Sequence, residues 1–492
     1  MIDQPTSQPT LQTNTYTWRD FQTDLNRQSR KQRLFLTVIR RLLPALIVIL
    51  TLSCLFMGIN RFWPESQTDN PGSREPDQAD SRIPDQTEKT EPVFAKTASV
   101  PVEPIVPDTL LSKVSIRKLI SDQNLMNLDH KSLTISNDNE ILTFETTLDM
   151  PLQKFILSLI EDLKPLSRGK PRRIAMVAME PSTGNILAMA GFDLENPGCN
   201  PCTLSDYPAA SLFKIITAAA AVETRGYTPD TPIYFNGGKY TLYKRQIKEG
   251  KNKYSTKTSF ANAFAESINP VFGRIGAIEL GGEILEQYAS AFGFNRPLTS
   301  EMNMQPGSVT FSDTVYQLAE VGCGFNKTTT ISPVFGAVMS STLLNRGMRP
   351  EPSLVQSIRN AQGDLVYRRP PTALVSAVEP ETALTVLTMM EKTVSSGTAS
   401  GSFRGFRKDA ILSRLSMGGK TGSLYSSDNT IKYDWFTGFA KNPIDQKQIA
   451  VAIVVGHGKY IGTRAAQFGK MIFKDYFTRY YARKSQAADK QG

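Results

Sequence analysis

Hydrophobic and polar positions divide the chain into three stretches before any chemistry is considered. Leu42 to Ile59, LLPALIVILTLSCLFMGI, is apolar and carries no charge. As a helix it spans about 27 Å, close to the hydrocarbon thickness of a bilayer. From Pro64 to about Pro107 the chain is dominated by Pro, Asp, Glu, Ser, Thr and Gln, a composition that cannot bury enough apolar surface to fold. Folding patterns resume near Leu110 and run almost to the end.

Within that last stretch, KSLTISNDNEILTFETTL alternates about an Asn137-Asp138-Asn139 turn and predicts a hairpin. Asp149 then caps a helix with Pro151 in its first turn and Leu152, Phe155, Ile156, Leu159, Ile160 and Leu163 on one face. RIAMVAMEPSTGNILAMAGF predicts a second hairpin with its turn at Pro181 to Gly184. YPAASLFKIITAAAAVE, residues 207 to 223, predicts a helix apolar almost all round, ending at Gly226, which belongs inside a domain. GGKTGSLYS, YDWFTGFA and QIAVAIVVGH predict three successive strands, and TRAAQFGKMIFKDYFTRYY a closing helix. Strands at both ends and helices between them imply an α/β (α+β) fold, with one sheet assembled from the chain's termini around a helical middle.

Charge changes the picture at one place. The net charge of +10 is drawn partly from Arg19, Arg27, Arg30, Lys31, Arg33, Arg40 and Arg41, all ahead of the apolar run. The segment from Glu65 to Glu91 after it is acid-rich, so the positive-inside rule puts the N-terminus in the cytoplasm and the bulk of the chain outside it. No A-x-A cleavage site follows, which favours a retained signal anchor over a cleaved signal peptide. The basicity therefore points to a membrane, not to nucleic acid.

Candidate chemistry begins inside the oil. Ser211 and Lys214 are three residues apart in YPAASLFKIITAAAAVE, and helical spacing puts the hydroxyl and the amine on one side. A serine becomes a nucleophile when a base takes its proton, and burial among Leu212, Phe213, Ile215 and Ile216 lowers the pKa that keeps lysine from being that base. The same S-x-x-K pattern occurs at Ser115 (SIRK), in a polar segment, and at Ser167 (SRGK), where Gly169 and Pro171 disfavour a helix. Ser267 and Asn269 in ESINPVFGRIG supply a relay hydroxyl and an amide that both donates and accepts. In GGKTGS, Lys420 offers a cation to a carboxylate, and the flanking glycines let another backbone come close. Decoys lack the glycine (KTS at Lys257, KTT at Lys327) or the order (SDN at Ser427 to Asn429).

The order S-x-x-K, S-x-N, K-T-G, each on its own element type, resembles the penicillin-binding proteins, serine D,D-transpeptidases whose superfamily includes the serine β-lactamases. The resemblance runs from about Thr147 to Phe477 and extends to TTLDMPLQKFI, AMEPSTGNILAMAG, NPVFGRIGAIELG, GCGFNKTTTISPVFGAVMSSTLLNRG and DWFTGFA. It implies a central antiparallel sheet flanked by helices, with a helical subdomain. It implies that Ser211 attacks the penultimate D-alanine carbonyl of a peptidoglycan stem peptide, with Lys214 as base and Ser267 relaying a proton to the leaving amine. Asn269 would hold donor peptide and Lys214, and Lys420 would depress the pKa of Lys214 by like charge. The strand Thr421, Gly422, Ser423 would pair with substrate, Thr421 near its carboxylate, and the N–H groups of Ser211 and Ser423 would form the oxyanion hole. A β-lactam would mimic the donor and stay attached. No cofactor is implied. The chain departs from common family usage at Pro208-Ala209-Ala210 before the nucleophile, at Ser423 after K-T-G, and at Ala465-Ala466-Gln467.

The expected organisation is a basic cytoplasmic tail (1–41), a transmembrane signal anchor (42–59), a tether (60–108), a short pre-domain (109–148), a transpeptidase domain (149–482) and a tail (483–492). Pro64 to Leu148 leaves no room for a glycosyltransferase domain, so the chain reads as monofunctional and class B-like, in the cytoplasmic membrane of a bacterium. Partners would be stem peptides, β-lactams, the membrane and other cell-wall synthesis proteins. A D,D-carboxypeptidase stays open beside the transpeptidase. A class D-like β-lactamase or β-lactam sensor shares SLFK, but the span from Asn269 to Lys420 is longer than those enzymes allow; a non-catalytic scaffold would not need every reacting group. Cys199 and Cys202 could join each other or leave one to pair with Cys323. With only His130 and His457, neither a zinc site nor a Ser-His-Asp triad is indicated.

Overall fold

Two sheets and the helices around them account for most of the described residues. The computed structural model describes residues 111–137 and 140–489. The expected cytoplasmic tail, anchor and tether lie outside the described residues. Among the described residues no helix is long and apolar enough to cross a membrane.

The first elements are a short helix α1 (Lys113–Leu119) and the expected hairpin, β1 (Ser132–Asn137) paired antiparallel with β2 (Glu140–Thr146). Helix α2 (Met150–Leu163) starts where the sequence implies, because Asp149 Oδ1 accepts from the Leu152 N–H at 3.0 Å and Pro151 occupies the first turn. Its buried face holds Leu152, Ile156, Ile160 and Leu163 and also Gln153, which an apolar pattern passes over. The Gln153 amide is satisfied by the backbone of Met189: Nε2 donates to Met189 O at 3.2 Å and Oε1 accepts from Met189 N at 2.9 Å. Strands β3 (Arg173–Glu180) and β4 (Asn185–Asp193) form the second hairpin.

Three helices of the middle carry or border the site: α3 (Lys214–Arg225), α4 (Phe260–Ala265) and α5 (Asn269–Arg274). Helix α6 (Pro333–Leu344) is buried along its whole length. Strands β5 (Val355–Arg359) and β6 (Leu365–Arg368) follow, then α7 (Pro380–Ser395), the strands β7 (Ser416–Tyr425), β8 (Lys432–Lys441) and β9 (Gln448–His457), and the closing helix α8 (Ala465–Asp489).

The central sheet has the order β7-β8-β9-β3-β4, antiparallel throughout, so the last strands of the chain pair with the early hairpin as expected. Both of its faces are covered. Ala175, Val177 and Met179 of β3 join the core beneath α3 and α6, while Ile174, Met176 and Ala178 join the one beneath α2 and α8. That is why β3 reads as a continuous apolar run and not as an alternation. In the smaller sheet, order β1-β2-β5-β6, β5 from within the expected transpeptidase domain pairs with β2 of the expected pre-domain. The hairpin belongs to the same compact unit as the rest.

Candidate active site

The nucleophile segment is where the structure departs most from the sequence reading. Residues 207–223 are not one helix. Tyr207–Pro208 pairs with Thr330–Ile331 as a two-residue strand, Ala210–Phe213 forms a 3₁₀ turn, and α3 begins only at Lys214, ending at Gly226 with φ 63° as expected. Ala210 has φ +49°, a left-handed conformation that costs a residue with a Cβ on the order of 1 kcal/mol or more. Gly324 packs directly against it: a Cβ on Gly324 would lie 1.8 Å from Ala210 O. The tight turn suits the chemistry, because residues three apart on a 3₁₀ turn eclipse one another. Lys214 Nζ and Ser211 Oγ are 2.8 Å apart, and Ser211 keeps partial exposure while Lys214 is fully buried.

Three oxygens surround the Lys214 amine: Ser211 Oγ, Asn269 Oδ1 at 2.8 Å and the Cys323 carbonyl at 2.5 Å. The last two only accept. The Asn269 orientation is set from its other side, where Nδ2 donates to Tyr240 O at 3.1 Å, so Oδ1 must face the lysine. A neutral amine spends its two protons on those acceptors, which leaves its lone pair for the Ser211 hydroxyl proton. Burial brings the Lys214 pKa down to about 8, against a smaller opposing pull from Cys323.

Ser267 sits between α4 and α5 with φ +57°, its side chain buried, and accepts from Lys420 Nζ at 2.9 Å. Lys420 also donates to Thr421 O at 3.0 Å. Burial first, and the Lys214 charge second, push the Lys420 pKa well below the usual lysine range. Both amines are thus pushed below the usual lysine range, burial being the first cause for each.

Strand β7 is an edge of the central sheet, so one side of its backbone is open to pairing by an extended peptide. Lys420 lies within the strand, four residues past its start at Ser416, and not at its beginning. Gly422 passes directly beside the turn; a Cβ there would lie 3.4 Å from Ser211 N, so the backbone of Gly422–Ser423 flanks the nucleophile as an oxyanion hole needs. The Ser423 hydroxyl turns away and donates to Asp434 Oδ1 at 3.2 Å, an oxygen that Arg464 NH1 also contacts at 3.2 Å. Burial opposes ionisation of Asp434, but His457, Arg464 and the Ala465 N–H outweigh it and hold that carboxyl below its usual range.

All five expected reacting side chains therefore meet in one cleft, together with the K-T-G strand. The decoys fall elsewhere. SIRK lies in a helix after all, α1, but Lys118 there is exposed; SRGK is a bend. Lys327 of KTT donates to Asn429 of SDN at 2.6 Å on the surface. The Cys323 carbonyl and the Tyr240 carbonyl were missed, since a backbone acceptor leaves no mark in residue type. The three described cysteines are free thiols, so the expected Cys199–Cys202 bridge is not formed. Cys202 is buried with its thiol 3.5 Å from Ala190 O, facing the sheet, while Cys199 is at the surface.

A partly exposed serine beside a fully buried amine of lowered pKa, flanked by an open strand edge, is the equipment of a serine acyl-transfer site. The family comparison agrees: residues 174–476 match the penicillin binding protein transpeptidase domain, and the chain belongs to that family. It is 26% identical over 325 residues to the peptidoglycan D,D-transpeptidase PbpA of Mycolicibacterium smegmatis, covering 58% of this chain and 62% of that protein. With stage V sporulation protein D of Bacillus subtilis it shares 24% over 358 residues, 68% of this chain and 53% of that one. The match thus spans less than two thirds of the length of either relative. The imipenem acyl-enzyme structure of penicillin-binding protein A from M. tuberculosis has the same mixed α/β fold, with a TM-score of 0.52 at 23% identity, covering 68% of this chain and 79% of that one.

Proposed function

We propose that this protein is a monofunctional peptidoglycan D,D-transpeptidase that is acylated on Ser211 and binds penicillin covalently. The observation that carries the reading is the Lys214 amine, fully buried and held by two pure acceptors so that its remaining valence points at Ser211 Oγ 2.8 Å away. Lys214 takes the hydroxyl proton as Ser211 Oγ attacks the carbonyl of the penultimate D-alanine. The tetrahedral oxyanion is held by the N–H groups of Ser211 and Ser423, a pair of donors worth several kcal/mol in such sites, about 3 each. Collapse breaks the peptide C–N bond, the amine of terminal D-alanine leaves with the Ser267 hydroxyl proton, and the proton that Lys214 took from Ser211 replaces it on Ser267, which Lys420 contacts. The donor lies along β7, with Thr421 near its terminal carboxylate. An amine of a second stem peptide then attacks the ester carbonyl, its proton passes by way of Lys214 to Ser211 Oγ as the ester C–O bond breaks, and a cross-link is left.

Residues 42–59 anchor the chain in the cytoplasmic membrane with residues 1–41 inside the cell, and 60–108 tether the catalytic unit outside it. Domain limits and partners among cell-wall synthesis proteins belong to the same proposal. The names of the two relatives, a peptidoglycan D,D-transpeptidase and a sporulation protein, and the imipenem adduct of the third support it. Labelling with a fluorescent penicillin tests it: a stable adduct on the wild type that disappears in Ser211→Ala is expected. A wild type that never labels, or a label that is rapidly hydrolysed, contradicts it.

A further inference from the structure

The turn after α7, Gly397-Thr398, touches both motif segments of the cleft although no motif includes it. Thr398 N donates to Ala265 O at 3.0 Å, two residues before Ser267, and Thr398 Oγ1 lies 3.3 Å from the same carbonyl. Gly397 packs so tightly there that a Cβ would lie 2.4 Å from Ala265 O. On its other side, Thr398 Oγ1 is 2.5 Å from Thr421 Oγ1, on the K-T-G strand.

The two outward hydroxyls of that strand differ in what they can offer an anion. Ser423 faces the Asp434 carboxylate, which only accepts, so the Ser423 proton is committed there. Thr421 faces another hydroxyl, and either oxygen of the pair can be the donor. Ala265 O already takes the Thr398 N–H and is the more distant of the two acceptors for the Thr398 proton. If Thr398 donates to Thr421, the Thr421 proton is free to point into the cleft.

We propose that Thr398 is a positioning residue for recognition of the donor's terminal carboxylate. Its hydroxyl donates to Thr421 Oγ1, fills the acceptor side of that oxygen, and turns the Thr421 O–H outward as the donor to the carboxylate. The inference rests on the acyl-enzyme reading and deepens it: it names what makes the site select acyl donors, and β-lactams, that carry a free carboxylate. A hydroxyl relay also polarises the outer O–H, which strengthens its bond to an anion.

The test compares the second-order acylation rates of a fluorescent penicillin and of its carboxyl methyl ester on the purified full chain, for the wild type, Thr398→Val and Thr398→Ser. Thr398→Val keeps the shape and the backbone N–H bond to Ala265 O but removes the hydroxyl. The free acid is expected to lose about tenfold in rate on Thr398→Val, the scale of a lost hydrogen bond to a charged group, while the ester changes by less than about twofold. Thr398→Ser is expected to restore the acid rate. An equal loss for acid and ester would make Thr398 a structural clasp only, and no loss for either would leave it without a role; both overturn the inference. Because the ester reads cleft integrity in the same sample, a misfolded variant registers as the equal loss. Failure of the wild type to label with either compound would instead overturn the acyl-enzyme reading, and the inference with it.

Discussion

The cleft contains two serine–lysine pairs of nearly equal length, Ser211–Lys214 at 2.8 Å and Ser267–Lys420 at 2.9 Å, and only one of them has the surroundings of a nucleophile and its base. Ser211 is partly open to solvent and lies on a turn whose N–H groups border the strand edge; Ser267 is buried. Lys214 meets two further oxygens that can only accept, from Asn269 and Cys323, so its neutral form is oriented toward its serine. Lys420 meets one further carbonyl, that of Thr421, and feels the charge of Lys214 as well as its own burial. Distance alone does not assign the roles. The remaining acceptors and the route to solvent differ, and the proposal that the first pair attacks while the second relays a proton rests on them.

That contrast breaks most sharply at the base. Lys214→Arg keeps a cation in place but removes the lone pair at neutral pH, and acylation by penicillin is expected to fall by about 10³-fold or more, measured as a second-order rate. Ser267→Ala should leave Ser211 and Lys214 in contact, so the protein still labels, but about 10²-fold more slowly, since a proton relay is lost and not the nucleophile. If Ser267→Ala abolished labelling while Ser211→Ala did not, the two pairs would have to exchange roles.

The pH profile sharpens the same contrast. With the Lys214 pKa near 8, the ammonium prevails below that pH and cannot take the Ser211 proton. The acylation rate should therefore rise with pH, by about tenfold per unit below pH 7, and level off above about 8. A flat profile between pH 6 and 9 would show that Lys214 is not the titrating base. Gly324→Ala probes the turn from behind: its Cβ would meet Ala210 O at 1.8 Å, at a backbone with φ +66°. Loss of more than about 1 kcal/mol in stability, by denaturant titration, and a slower acylation are expected together. The smallest effect is reserved for a site remote from the cleft: Asp149→Ala removes the α2 cap, for about 1 kcal/mol of stability, with the acylation rate unchanged.

The motif order was legible because each residue type carries its own chemistry, and the central sheet was legible because β3 and β9 at its middle are apolar on both faces. The fold boundaries around Ser211 were not, since YPAASLFK is apolar whether it forms a helix, a strand or a 3₁₀ turn. The left-handed backbone at Ala210 and Ser267 is announced by neither residue type, and at Ala210 it comes with a close backbone approach that only a glycine at 324 allows. The carbonyls of Cys323 and Tyr240 orient Lys214 and Asn269 through backbone atoms that every residue has. Pairing of β5 with β2 was hidden for another reason: contacts between strands so far apart in the chain depend on the whole topology, not on local pattern.

The account stands on Ser211, not Ser267, being the residue that attacks. Mass analysis of peptides from the penicillin-treated protein locates the adduct directly. The adduct is predicted on the peptide containing Ser211, at that residue; an adduct on Ser267, or on neither serine, would contradict the account.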